Sequence, residues 1–278
     1  MNPEPRITVV AEAPGLLVLD ADRAAGAVAL QEAMQRAAEK ARVQGVAFTL
    51  VRRTTHGGAI GYFTDRLARQ GFCVISAAAS VPNMAYHGSK SAALGTTPLA
   101  LSAPRRGGGS ITLDMASSII SFGALMAAKR NGTPLRPGCA LDQEGRPTTD
   151  PAQAATLLPV GGAKGSGLAL MVEIFASILA GNPILAPHLG PMSTRHHTQN
   201  AFFVTIDIAH ICPLPEFEDA VEDLVTALKA EERQDGVAEL LMPGERGTRI
   251  AEERARTGIP LEESLWAWLE AHATGKTA

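Results

Sequence analysis

Lys164 stands among four glycines in the seven residues Gly161 to Gly167, and the apolar run Leu168 to Leu179 follows at once. Glycines let a backbone approach a ligand closely, and the amides that open a helix favour an anion. A phosphate cradle with Lys164 as its cation is one reading of Leu158-Pro-Val-Gly-Gly-Ala-Lys-Gly-Ser-Gly-Leu168. A glycine-rich turn that lets a buried helix pack closely is the other. The stretch matches neither a P-loop nor the Gly-x-Gly-x-x-Gly dinucleotide fingerprint, because Gly165-Ser166 comes after the lysine and no strand leads in at the right spacing.

His56 follows a strand-like run and precedes Gly57-Gly58, a position from which an imidazole can reach a ligand and exchange a proton near neutrality. The plainer reading is a satisfied surface or core histidine. Asp114 lies between a strand candidate and a helix candidate, where open sheets bind ligands, and where a plain cap also sits. Thr96-Thr97-Pro98 reads as a turn into a strand whose hydroxyls can grip a polar ligand, and Glu245-Arg246 as a solvated charge pair. His196-His197 beside Arg195 has no acidic or cysteine partner at metal spacing, and neighbours on an extended chain point opposite ways, so no metal site is expected. A Gly-x-Ser-x-Gly elbow and a His-Glu-x-x-His pair are both lacking.

The elements that must position these residues are legible as an alternation. Ile7 to Val10 and Leu16 to Leu19 predict short strands, and Asp20 or Asp22 is a candidate cap for a helix from Arg23 to Val43. Leu30, Ala33, Met34, Ala37 and Ala41 fall at helical spacing in it, and Gly45 ends it. Strands are expected at Val46 to Val51, Phe72 to Ala77, Leu99 to Ala103, Ser110 to Asp114 and Ala201 to Ile208. Further helices are expected at Ile60 to Gln70, from caps Ser117 and Ser118 to Lys129, from the glycine stretch to Ala180, and at Phe217 to Glu232 and Leu261 to His272. Thr133 to Asp150 reads as a long loop. Several strands follow one another without a helix between, which favours a mixed sheet.

Composition bounds the function. A chain of 278 residues with 46% hydrophobic and 19% charged residues is long enough and apolar enough for a large core in a soluble protein. Aromatics are only 4%, so that core is built mainly of Ala, Val, Leu and Ile. A net charge of -3 argues against a general binder of nucleic acid or membrane surface. Cys73, Cys139 and Cys212 form no C-x-x-C pair, no apolar signal core opens the chain, and the longest apolar run is too short to span a bilayer. A cytoplasmic protein is the expectation.

Taken in order, the motifs resemble those of the malate/L-lactate dehydrogenase family of non-Rossmann NAD(P)-dependent oxidoreductases. Thr55-His56-Gly57-Gly58-Ala59-Ile60-Gly61-Tyr62 is similar to its Asn-His-x-Gly-Ala-x-Gly-Tyr. Leu94 to Pro98 is similar to Leu-Gly-Thr-Asn-Pro, Leu113 to Ser118 to Leu-Asp-Met-Ala-Thr-Ser, and Leu141 to Pro151 to Leu-Asp-x-x-Gly-x-Pro-Thr-x-Asp-Pro. The glycine stretch resembles Leu-Pro-x-Gly-Gly-His-Lys-Gly-x-Gly-Leu, and Pro243-Gly244-Glu245 and Gly258 to Leu261 recur near the family's C-terminus.

The resemblance implies one domain over 1–278, with a mixed, largely antiparallel sheet and flanking helices, and the cofactor part at roughly 54–185. It implies hydride transfer between NADP, preferred here, or NAD and C2 of a small 2-oxo, 2-hydroxy or cyclic 2-imino acid, in a homodimer. By motif position His56, Gly57, Gly58, Ala59 and Ile60, with Asp114, Met115 and Ala116, line the cofactor. Lys164, Gly165, Gly244, Glu245 and Arg246 join them, while Thr96, Phe122 and Gly123 meet the substrate and His56 handles the proton. The sequence departs at Thr97, where the family has Asn, at Phe122, where it has Arg, and at Ala163, where it has His. In the family a Ser-His-Gly-x-x-Arg segment precedes the Asn-Pro stretch at which this sequence opens. The alternative expectation is therefore a dinucleotide-binding homologue with weak or no catalysis.

Overall fold

The computed structural model describes residues 1–189 and 198–273. In chain order the elements are β1 (Thr8–Ala13), β2 (Leu16–Asp20), α1 (Gly26–Gln44), β3 (Val46–Thr54), α2 (Gly61–Ala68), β4 (Phe72–Ser80), β5 (Met84–Ala85) and β6 (Ala92–Leu94). Next come β7 (Leu99–Arg105), β8 (Gly109–Met115), α3 (Phe122–Asn131), β9 (Ala140–Leu141), β10 (Thr156–Leu157) and α4 (Ala163–Glu173). The last are α5 (Leu185–Leu189), β11 (Gln199–Asp207), α6 (Leu214–Ala230), α7 (Glu245–Thr257) and α8 (Glu263–Ala273).

Seven strands form one sheet in the order β1-β2-β3-β11-β4-β7-β8. Every pairing in it is antiparallel except β2 with β3. The mixed, largely antiparallel α/β arrangement is thus present. The strands alternate their side chains between two faces. Val51 and Phe203 face one core with Leu30, Ala33, Met34 and Ala37 of α1 and Phe63 and Leu67 of α2. Leu50 and Phe202 face another with Val172 of α4 and Ala176 and Ala180 beyond it. Helices therefore cover both faces. A second sheet, ordered β6-β5-β10-β9, has its own core of Met84, Leu94, Leu125, Leu157 and Ala169.

All five apolar positions read for α1 are buried, and Gly45 ends the helix at φ +79°. The expected caps are not used. Asp20 is instead ion-paired to Arg52 at 3.0 Å and Arg53 at 2.9 Å, and α1 begins at Ala25 without a side-chain cap. Burial works to raise the Asp20 carboxyl, but the Asp22 amide and the two arginines outweigh it and hold it below the usual carboxylate range. Ser121, not Ser117 or Ser118, caps α3 by accepting from the Ala124 amide at 3.1 Å. The helix expected to run to Ala180 is α helix only to Glu173, then a π-helical turn over Ile174–Ile178. α5 and the short strands of the second sheet are too short for a sequence pattern to predict, and α7 is missed although Glu245–Thr257 has a charge-rich amphipathic helical pattern. His196-His197 lies outside the described residues. Cys73, Cys139 and Cys212 are all free thiols.

Candidate active site

One end of the large sheet gathers most of the singled-out residues. Thr54 at the end of β3 is registered with Gln199 at the start of β11, and Gln199 with Ser80 at the end of β4. β7 and β8 continue the row through the pairs Ala77–Leu99 and Leu99–Met115. Antiparallel order alternates chain ends, so this edge receives the loop after β3 with His56, the turn before β7 with Thr96, and the end of β8 with Asp114.

The His56 loop is fixed to the start of α1. Thr55 Oγ1 accepts from the Gly26 amide at 3.2 Å and donates to the Ala24 carbonyl at 3.1 Å. The His56 side chain is exposed, and its Nδ1 lies 3.4 Å from Nε2 of Gln199. Gln199 escapes sequence reading because 143 residues separate it from His56. Gly57 and Ala59 border a cleft of about 560 Å³ with Ile7, Val28, Tyr62 and Phe63.

Asp114 accepts the Gly61 amide on Oδ2 at 2.9 Å, so the helix start at α2 and the end of β8 are joined directly. Desolvation pushes the Asp114 carboxyl above the usual carboxylate range, and the Gly61 N–H opposes it. Met115 and Ala116 continue from there, half-buried, to Ser117.

Ser117 is the hub of the site. Its amide and its hydroxyl both donate to the Thr96 carbonyl at 2.9 Å, and its hydroxyl lies 2.6 Å from Oγ1 of Thr97. Its carbonyl accepts the Val160 amide at 2.9 Å, which ties the Thr96 turn to the glycine stretch. Thr96 and Thr97 are buried, and Thr97 has a φ of +21°, an unusual backbone for a β-branched residue.

The glycine stretch is a packing turn at Gly165, while Gly161 to Lys164 stand open at its surface. Gly165 is buried with its amide on the Val160 carbonyl at 3.0 Å. A β-carbon there would overlap that carbonyl and stand 2.8 Å from the Ser117 carbonyl, so Gly165 packs the turn. Gly161 and Lys164 are exposed, and Lys164 has no ion-pair partner among the described residues. The amides of Gly162 and Lys164 are spent on the Pro159 and Gly161 carbonyls at 3.2 and 3.3 Å. Gly161 and Ala163 keep theirs unpaired among the described residues. One ammonium group and two amides of this turn are therefore without partners among the described residues and could meet a ligand.

The remaining residues lie further out. Phe122 and Gly123 open α3, and the exposed Phe122 borders a separate cleft of about 460 Å³ with Lys129, Asp142 and Glu144. Gly244 docks on β8, where the Thr112 amide donates to the Pro243 carbonyl at 3.1 Å. The Glu245 carboxylate is taken by Lys229 at 2.7 Å and Arg105 at 3.4 Å. Arg246 is exposed at the start of α7. No cluster of three or more metal-ligating side chains occurs among the described residues.

Comparison with known proteins assigns the class. The malate/L-lactate dehydrogenase family profile matches residues 1–270, and the chain belongs to that family. The malate dehydrogenase of Pyrococcus abyssi is 33% identical over 275 residues, covering 95% of this chain and 75% of the relative. The NAD(+) ureidoglycolate dehydrogenase of Escherichia coli K12 is 30% identical, covering 100% of this chain and 80% of the relative. The solved sulfolactate dehydrogenase of Methanocaldococcus jannaschii superposes with a TM-score of 0.86 at 33% identity, covering 99% of this chain and 80% of that one.

Proposed function

We propose that the protein is an NAD(P)H-dependent oxidoreductase acting at C2 of a small 2-oxo, 2-hydroxy or cyclic 2-imino acid. The observation that carries this reading is the meeting of His56, Thr96 and Asp114 at one sheet end, tied through Ser117 to the Lys164 turn. A nicotinamide dinucleotide fits the residues present: Lys164 is unpaired, two amides are open beside it, and Gly61 lets the backbone close on Asp114. When bound, the cofactor supplies or accepts the hydride.

The chain's own residues do the rest. Lys164 and the open amides of Gly161 and Ala163 hold the phosphates, and Asp114, Met115 and Ala116 with His56 to Ile60 form the wall beside them. Thr96 fixes the acid through its hydroxyl, because Ser117 already occupies its carbonyl. His56 gives a proton to the C2 oxygen or nitrogen during reduction and removes it in the reverse direction. Gln199 holds the ring, since an amide can donate to neutral Nδ1 or, turned over, accept from the protonated one. Holding acid and cofactor in one geometry lowers the barrier through proximity and orientation.

By motif alone Phe122 replaces a cation of the relatives, and on that ground, although its ring borders a cleft apart from His56, Thr96 and Asp114, a bulkier or less anionic acid than a dicarboxylate is proposed. NADP is preferred to NAD in this reading. The unit is proposed as a cytoplasmic homodimer. Its candidate interface is the exposed apolar stripe Leu170, Met171, Ile174, Phe175, Ile178 and Leu179 on α4 and its π-helical extension. No helix among the described residues is long and apolar enough to cross a membrane. The test of the function is oxidation of NADPH or NADH on adding pyruvate, oxaloacetate, a ureidoglycolate-type acid or a cyclic imino acid. No turnover with any of them rejects it.

A further inference from the structure

A second imidazole lies beside the glycine turn, on an element the motifs pass over. β5 and β10 are parallel neighbours, with Leu157 registered against Met84. Segments that leave the same end of a parallel pair flank a crevice, the usual place for a ligand. Here those segments are Tyr86-His87-Gly88 after β5 and Leu158 to Gly162 after β10. The His87 amide donates to Oγ of Ser166 at 2.8 Å, and Ser166 is buried on the first turn of α4. The His87 ring stands against the glycine turn: a β-carbon on Gly162 would lie 3.2 Å from both Nδ1 and Cε1 and 4.0 Å from Nε2. The ring is exposed, and neither of its nitrogens has a partner among the described residues.

We propose that His87 contacts the phosphates of the bound dinucleotide, adding an imidazole donor to Lys164 across the glycine turn. The proposal rests on the reading of this site as a nicotinamide-cofactor site. Its physical basis is the pairing of two donors of different character at one turn. Lys164 is a fixed ammonium, whereas an imidazole is a single N–H donor when neutral and gains a positive charge on the acid side of neutrality. The ionisable groups on the surrounding elements are Lys164 on α4, Tyr86 and Lys90 on the same loop, and Glu144 on the turn whose Gly145 packs against Lys90. Ser166 acts as a positioning residue, since its hydroxyl holds the loop that carries the ring.

The experiment is calorimetric titration of the full chain with NADPH and NADH at several pH values, on wild type, His87→Gln, His87→Ala and Ser166→Ala. Wild-type affinity is expected to tighten as pH is lowered, because a protonated imidazole adds a positive charge beside Lys164. His87→Ala should weaken binding about tenfold on the acid side, the size of one charge-assisted hydrogen bond, and remove that pH dependence. His87→Gln should keep the neutral-side affinity without the acid-side gain, and Ser166→Ala should lie between. Unchanged affinity and pH dependence in both His87 variants, with wild type binding normally, overturn the role of His87 and leave the cofactor site standing. A change confined to the KM for pyruvate, with dinucleotide affinity unaltered, also overturns it. Failure of the folded wild type to bind either dinucleotide rejects the cofactor site itself.

Discussion

The amide of Gly61 donates to the Asp114 carboxylate at 2.9 Å, and a β-carbon on Gly61 would stand 2.7 Å from the same oxygen. The start of α2 and the end of β8 thus meet at a point with no room for a side chain. Gly61→Ala must push Asp114 aside, and overpacking of this kind costs about 1–3 kcal/mol. Denaturant unfolding should show that loss, and dinucleotide binding should weaken with it.

The same contact has a pH signature. The Asp114 carboxyl is raised above its ordinary range, chiefly by desolvation. A raised folded-state value means the folded protein prefers the neutral acid. The stability it contributes is complete below the unfolded-state value and is lost as pH rises through the folded one. Asp114→Asn keeps an acceptor for Gly61 without the charge, so its stability should fall less than wild type over that rise. Equal pH dependence of the two unfolding free energies would contradict this.

Thr97 holds a φ of +21° with its hydroxyl 2.6 Å from that of Ser117. Asparagine tolerates the left-handed region better than a β-branched residue and retains a polar group for Ser117. Thr97→Asn should stabilise the protein by about 1 kcal/mol, the lower end of the strain such a backbone stores. A lower denaturation midpoint for the variant would refute the strain.

Two glycines of the Lys164 turn should respond in opposite directions. Gly165→Ala drives a methyl into the Val160 carbonyl and should cost about 3 kcal/mol or more. Gly167, inside α4, meets nothing within 4 Å of an added β-carbon. Gly167→Ala should therefore stabilise by about 0.5–1 kcal/mol through helix propensity. Thermal unfolding of the pair separates a packing turn from a uniformly exposed glycine loop.

What was legible in the sequence follows from the range of the interactions. The buried stripe of α1 and the glycine stop at Gly45 are local, and the fold uses them as read. Asp20 fails as a cap because Arg52 and Arg53, a strand away, claim its carboxylate. α7 is passed over because Glu245–Thr257 has a single large apolar residue, Ile250, and buries none, so its one-sided charge pattern marks no core-facing stripe. β5, β6, β9 and β10 are two or three residues long, too short for any period. The motifs name the candidate residues one by one, while the contacts that join them, Gln199 with His56 and His87 with the glycine turn, link segments far apart in the chain.

His56, at the sheet end, is proposed to exchange the proton for a hydride transfer at C2 of a small acid. The direct measurement is steady-state oxidation of NADPH and NADH across the 2-oxo and cyclic imino acids, on wild type and His56→Ala, with dinucleotide affinity measured alongside. Turnover by wild type, lost by about 10²–10⁴-fold in His56→Ala while the cofactor still binds, is the predicted result. Undiminished turnover in His56→Ala, or dinucleotide binding by wild type with no turnover of any acid, would contradict it.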